Sequence, residues 1–147
     1  MSIKSGPVNG GCLCGSVRFT IVDGPQETNI CHCAMCRRWT GGPMMALHPK
    51  TPIRLDKSDT LTWYVSSDWA ERGFCSKCGT TLFYRLRQEP EELIATAGSL
   101  DDPGAVTGIE CHIFVDEKPA FYDFADDSPR RTGAEVIAEF NAEQANK

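Results

Sequence analysis

No stretch of the chain carries the ~18 consecutive apolar residues that a membrane-spanning helix needs, so no membrane span is expected. The opening residues, MSIKSGPVNGG, lack the apolar stretch of a signal peptide, and cytoplasmic residence is the expectation. Positive charge is in short supply: 15 Lys and Arg stand against 20 Asp and Glu, a net charge of −5. A nucleic-acid partner would favour a basic face, so none is expected. Internal repeats, low-complexity blocks and linkers are also missing. With 147 residues, 41% of them hydrophobic, the chain suits one domain that buries a core without staples. Helical patterning is scarce and confined to the end. There Thr132-Gly133-Ala134-Glu135 has capping-box form, and Val136, Ile137 and Phe140 can share one face.

Strand patterning fills the rest. Val17, Phe19 and Ile21 alternate with polar residues and then meet the turn Asp23-Gly24-Pro25. Short strands are expected over 44–48, 61–65, 92–98 and 108–115, with 118–124 as an edge strand. Residues 69–86 read as strand, knuckle, strand, with Cys75 and Cys78 at the turn. Gly41-Gly42-Pro43 breaks any helix begun at Ala34. The fold class expected is mainly β: a single domain of twisted, packed antiparallel sheets with zinc knuckles and a short C-terminal helix. The β domain is placed at residues 8–125 and a C-terminal extension at 126–147. Trp39, Trp63, Trp69 and Phe121 are read as core, and His48 and His112 as structural for want of a placed partner.

Cysteine is plentiful, with eight in the chain. Disulfide frameworks spread their cysteines to close long loops. Here seven are clustered as Cys12-x-Cys14, Cys31-x-Cys33-x-x-Cys36 and Cys75-x-x-Cys78, which is the spacing of chelation. Cys111 stands apart in a strand as a free thiol. The Cys75-x-x-Cys78 knuckle supplies two ligands, and Gly79 can take the positive φ its turn needs. Cys12 and Cys14, projecting from one face of an extended backbone, can supply the other two. That closes a structural zinc site across 60 intervening residues.

Cys31, Cys33 and Cys36 then remain as three ligands with an open fourth place, the pattern of a catalytic zinc. His32, on an extended backbone, points away from its neighbours' sulfurs. A centre of three thiolates and Zn²⁺ is soft and carries a net charge of −1, so it favours a sulfur ligand in the open place. Arg37 and Arg38 follow directly and can hold a substrate carboxylate, or stand as solvated charge. A different sharing stays open, in which Cys31 or Cys33 joins Cys36, Cys75 and Cys78. Redox dithiols at Cys33/Cys36 and Cys75/Cys78 are a further alternative, though no βαβ pattern surrounds either pair.

On the stretches GCLCGSVRF (11–19), CHCAMCRRWTG (31–41), GFCSKCGTTLFY (73–84), GSLDDP (98–103) and HIFVDEKPAFYD (112–123), the chain resembles the glutathione-dependent formaldehyde-activating family. This is the S-(hydroxymethyl)glutathione synthase type, to which centromere protein V is related. The resemblance implies a mainly β fold with two zinc sites. It implies a structural zinc on Cys12, Cys14, Cys75 and Cys78 and a catalytic one on Cys31, Cys33 and Cys36. It implies a carbon–sulfur lyase acting on a small thiol such as glutathione and a small aldehyde such as formaldehyde. One departure is Phe121 before Tyr122, where the family often carries Trp. The reading from a different class is a non-catalytic, zinc-ribbon-like protein-binding module, with the triplet completed by a residue such as His32.

Overall fold

The computed structural model describes residues 6–146. In chain order the strands and α-helices are β1 (Val8–Gly11), β2 (Arg18–Ile21), β3 (Gln26–Cys31), α1 (Ala34–Thr40), β4 (Met44–Leu47), β5 (Arg54–Lys57), β6 (Leu61–Val65), β7 (Ala70–Cys75), β8 (Thr81–Leu86), β9 (Ile94–Thr96), β10 (Val106–Ile113), β11 (Arg130–Arg131) and α2 (Gly133–Ala145). The protein is mainly β, and its strands fall in two sheets, of three and eight strands. Among the described residues, no helix is long and apolar enough to cross a membrane. The chain divides into two compact units, one of residues up to 28 with 46–108, the other of 29–45 with 109 onward.

In the first unit β1, β2 and β5 form the three-stranded sheet, with antiparallel pairing such as Val8↔Ile21 and Thr20↔Arg54. A second antiparallel run orders β4, β9, β8, β7 and β6, with pairs such as Leu47↔Ala95, Phe83↔Ala95 and Trp63↔Gly73. The alternation of β2 delivers Val17, Phe19 and Ile21 to the core, all fully buried. Phe19 meets Phe83 edge to face at 5.1 Å, the geometry aromatic quadrupoles favour. Thr20, on the opposite face, is buried too. Its hydroxyl lies within 2.6 Å of the Asp56 carboxylate and 2.9 Å of Asn9 Oδ1, which makes that burial affordable. Cys12 and Cys75 belong to the same core cluster, so the sulfurs are set in apolar packing.

In the second unit β11, β10 and β3 are neighbours in that order, and β10 pairs with β11 in parallel through His112↔Arg130 and Ile113↔Arg131. Phe114 ends β10 in the left-handed region at φ 56°, which costs about 1–2 kcal/mol in a non-glycine residue. The turn throws residues 115–117 into a single 3-10 turn whose carboxylates cap both helices of the unit. Asp116 accepts from Gly133 N at 2.8 Å, and Glu117 accepts from Ala34 N at 3.0 Å. Helix α2 carries the expected capping box, with Thr132 and Glu135 bonding each other's backbone.

Several expectations are corrected. Residues 118–124 form no strand, because the Lys118 ammonium folds the segment back onto the Pro119 and Tyr122 carbonyls. The Cys12-Leu13-Cys14 segment is a turn, closed by Gly15 N to Cys12 O at 3.1 Å, not an extended pair. Trp69 and Phe121 are exposed, at 57% and 84%, and are not core, whereas Trp63 packs against the core of the first unit. In α2 only Gly133 is buried and Ile137 and Phe140 are exposed, since the helix docks by its first turn against the Phe114 ring. Strands β1, β3, β5 and β11 carry no clear period and were not expected. Truncating Phe83 to Ala removes a ring that touches both Phe19 and Trp63. It is expected to cost about 3–5 kcal/mol, read as a lowered urea midpoint at unchanged slope.

Candidate metal centres

In the first unit Cys12, Cys14, Cys75 and Cys78 gather with their sulfurs all within 4.8 Å of one another. Two hairpin-like turns build the group. The first is the turn at 12–15 before β2. The second follows β7, where Gly79 N donates to Cys75 O at 2.7 Å and Gly79 takes φ 79°, as its place in the knuckle requires. The Cys12–Cys14 and Cys14–Cys75 sulfur separations are 3.6 and 3.8 Å. The edge of a tetrahedron of thiolates about 2.3 Å from a zinc ion is ~3.8 Å.

Hydroxyl and amide donors surround these sulfurs. Thr60 Oγ1 is 3.2 Å from Cys75 Sγ, Thr80 Oγ1 is 3.1 Å from Cys78 Sγ, and Val17 N donates to Cys12 Sγ at 3.2 Å. The Thr80 hydroxyl, then its amide, brings the Cys78 thiol down to about 5. The Thr60 hydroxyl lowers Cys75, while burial raises Cys12. Gathering four thiols thus leaves a set already biased toward thiolate at its knuckle side, which is the ligand form.

In the second unit Cys31, Cys33 and Cys36 form the other group, again with all sulfurs within 4.8 Å. The local sequence dictates this. β3 ends at Cys31, and Cys33 is the extended N-cap of α1, its sulfur accepting from Cys36 N at 3.3 Å. N-cap and third helical residue are neighbours across the first turn, so a C-x-x-C entering a helix brings its thiols together. Gly41, at φ 87°, ends the helix as expected, bonding Arg37 O at 2.8 Å. Contact with Cys33 and Cys36, then burial, pushes the Cys31 thiol far up. Three crowded thiols do not ionise together unless a cation neutralises them. Three soft donors and no carboxylate make a set suited to zinc rather than to magnesium or calcium.

His32 does not join this group. Its Nδ1 lies 2.8 Å from Tyr122 Oη and its Nε2 lies 2.9 Å from His112 Nδ1. His112 in turn places Nε2 3.0 Å from the Asp126 carboxylate. Both imidazoles are 1% exposed. Burial chiefly, and then the neighbouring His112, push His32 down to about 4. Burial raises Asp126, but hydrogen bonds from Ser128 and His112 outweigh it and bring the carboxyl down to about 2. His112 therefore has the placed partners that the sequence did not offer. His48 is exposed. Arg37 spends its Nε on His32 O at 3.1 Å, and Arg38 is exposed on α1. Cys111 is buried in β10 and donates to Asn29 Oδ1 at 3.2 Å.

The sequence reading missed Thr60, Thr80, Glu117, Tyr122 and Asp126. Thr80 follows the knuckle directly and was findable. Tyr122 and Asp126 stand 90 and 14 residues from their histidine partners, so no local spacing marks them.

The model of the glutathione-dependent formaldehyde-activating enzyme family matches residues 7–117, so it takes in both cysteine groups. The chain belongs to this family. It is 30% identical over 128 residues to an uncharacterized lyase of Schizosaccharomyces pombe, covering 87% of this chain and 93% of that one. It is 28% identical over 148 residues to a Halomonas elongata protein that carries the family's name, covering 92% and 94%. A solved Rhodobacter sphaeroides protein is similar at 25% identity and a TM-score of 0.48, over 63% of this chain and 87% of that one.

Titration of the reduced, metal-free chain with Co²⁺ is expected to give sulfur-to-cobalt charge-transfer absorption that saturates near two ions. Binding displaces thiol protons, so the apparent affinity is expected to fall as pH drops from 8 to 6. Saturation at one ion would remove one of the two centres.

Proposed function

We propose that the protein is a zinc-dependent carbon–sulfur lyase that makes and breaks a thiol–aldehyde adduct, S-(hydroxymethyl)glutathione or a close relative. In this reading Cys12, Cys14, Cys75 and Cys78 hold a structural zinc, and Cys31, Cys33 and Cys36 hold the catalytic one. The observation that carries it is the triplet. Three thiols converge while His32, the nearest candidate for a fourth ligand, has both ring nitrogens engaged elsewhere. A closed structural site has four protein ligands, whereas three with one place left is the arrangement of catalysis. Family membership and the lyase relative support the same chemistry.

A zinc ion at the triplet would supply Lewis acidity that lowers the pKa of an incoming thiol and holds it in place. The reaction itself balances without a redox partner. The thiol sulfur bonds the aldehyde carbon, the carbonyl π bond opens, and the thiol proton ends on the oxygen. The chain's own part is positional. Cys33 both donates to the centre and starts α1, so the helix fixes its sulfur relative to Cys36. The Arg38 guanidinium, exposed on α1 two residues past Cys36, can take a carboxylate of glutathione in bidentate fashion. Arg37, tied to the His32 carbonyl, steadies the segment between the first two cysteines.

The competing reading, a binding module with two structural metals, predicts that both cysteine groups matter equally to folding. The test therefore pairs Cys33→Ser with Cys75→Ser. Cys33→Ser is expected to stay folded, keep one zinc per chain and lose thiol–aldehyde adduct formation. Cys75→Ser, set in the fully buried core, is expected to unfold or melt far lower. Equal loss of stability in both would favour the binding module. Arg38→Ala is expected to raise KM for glutathione about tenfold with little change in kcat, corresponding to one lost charge-assisted contact. An unchanged KM would take Arg38 out of the site.

A further inference from the structure

The second unit contains a buried polar chain that the triplet chemistry does not use directly: Tyr122, His32, His112 and Asp126, joined by contacts of 2.8, 2.9 and 3.0 Å. Its rings lie nearly parallel, His32 against His112 at 19° and against Tyr122 at 19°. Phe124 closes over them edge-on, 5.7 Å from His32 and 5.0 Å from His112. The outer end is firmly held. Asp126 accepts from Ser128 N at 3.2 Å, and the Arg130 guanidinium lies 3.6 Å away. One step in from the Tyr122 end the chain passes between two cysteines of the triplet, because His32 is the residue between Cys31 and Cys33. Main-chain bonds fasten both histidines, His32 N to Ile113 O at 3.1 Å and His112 N to Pro129 O at 2.8 Å.

With neutral imidazoles, the protons along this chain have one consistent arrangement. An ionised carboxylate only accepts, so His112 carries its proton on Nε2 and offers Nδ1 as acceptor. His32 must then donate from Nε2, which leaves its Nδ1 to accept from the Tyr122 hydroxyl. Each bond's direction follows from the one outside it, and the source of the order is Asp126.

We propose that Asp126 is a positioning residue for the Cys31/Cys33/Cys36 centre: acting through His112, it fixes the tautomer and ring orientation of His32 and so holds Cys31 and Cys33 in ligating register. A carboxylate orienting an imidazole beside a metal centre is a familiar outer-shell device, and its loss typically weakens metal binding by 10- to 100-fold. Here the imidazole is not itself a ligand. It is the rigid spacer between two ligands. The inference rests on reading the triplet as a metal centre, and not on the identity of thiol or aldehyde.

The experiment uses the full reduced chain, with Asp126→Ala to remove the acceptor and Asp126→Glu to restore it. Nitrogen-15 spectra of the histidine rings are expected to show His32 and His112 both protonated at Nε2 in the wild type. Asp126→Ala is expected to lose that single tautomer, and Asp126→Glu to recover it in part. In the Co²⁺ titration, the ion that Cys33→Ser abolishes is expected to bind about tenfold more weakly in Asp126→Ala. The other ion is expected to bind unchanged, which controls for general destabilisation. Wild-type rings protonated at Nδ1, or an Asp126→Ala chain that binds both ions as tightly as wild type, would overturn the proposal. Weakening of both ions together would reduce Asp126 to a structural residue and overturn it equally. A wild type that binds both ions but forms no adduct with any thiol would sink the lyase reading and leave this one standing.

Discussion

Crowded sulfur is the constraint on which the rest depends. Thiols brought within 4.8 Å of one another gain little as neutral groups and repel strongly as anions, so their gathering suits a cation that would neutralise them. The protein spends ordered backbone on this gathering: a turn, a knuckle, a strand end and a helix start. Hydrogen bonds from Thr60, Thr80 and Val17 onto the four-sulfur group offset part of the anionic charge. In the first unit that group lies against the core, with Cys75 fully buried, so a metal held there would support the same element ends as the hydrophobic packing.

The triplet shows the same physics with a different outcome. Its thiols come from one continuous stretch, and no pair of distant strands meets through them. A cation held here would not close a long loop. The residue that might have closed the set is drawn off, since His32 satisfies both nitrogens within a buried chain. A buried imidazole needs partners for both nitrogens, and once it has them it makes a poor ligand. Hydrogen bonding, and not residue count alone, thus keeps His32 out of the three-sulfur group.

Much of this was legible in the sequence because it is local. The alternation of Val17, Phe19 and Ile21 gave β2, the aromatic and β-branched run at 61–65 gave β6, and the C-x-x-C with Gly79 gave the knuckle. The capping box at Thr132 located α2. What stayed hidden has a physical reason in each case. Strand β1 reads VNGG and has buried positions that its own hydropathy does not mark, while β5 reads RLDK and is exposed along its whole length, held by its pairing with β2. Cys12 and Cys14 reach one another through a turn whose hydrogen bonds, Cys12 to Val17 and Gly15 to Cys12, no i, i+2 rule foretells. The exposure of Phe121 and Trp69 runs against residue type altogether.

The buried histidines are the plainest case of information that spacing cannot carry. His32 and His112 stand 80 residues apart and meet only because β3 and β10 are neighbours. Strand pairing converts two isolated polar residues, each costly to bury alone, into one satisfied chain that ends on a carboxylate. Such a chain has a direction, because a carboxylate can only accept and each imidazole must then donate outward toward it. Direction makes it sensitive to change at its outer end in a way that an apolar core is not. A methyl group lost from a core leaves a local cavity, but an acceptor lost from Asp126 removes the reason for every proton position up to Tyr122. That is how a residue with no sulfur near it can set the geometry of a sulfur site.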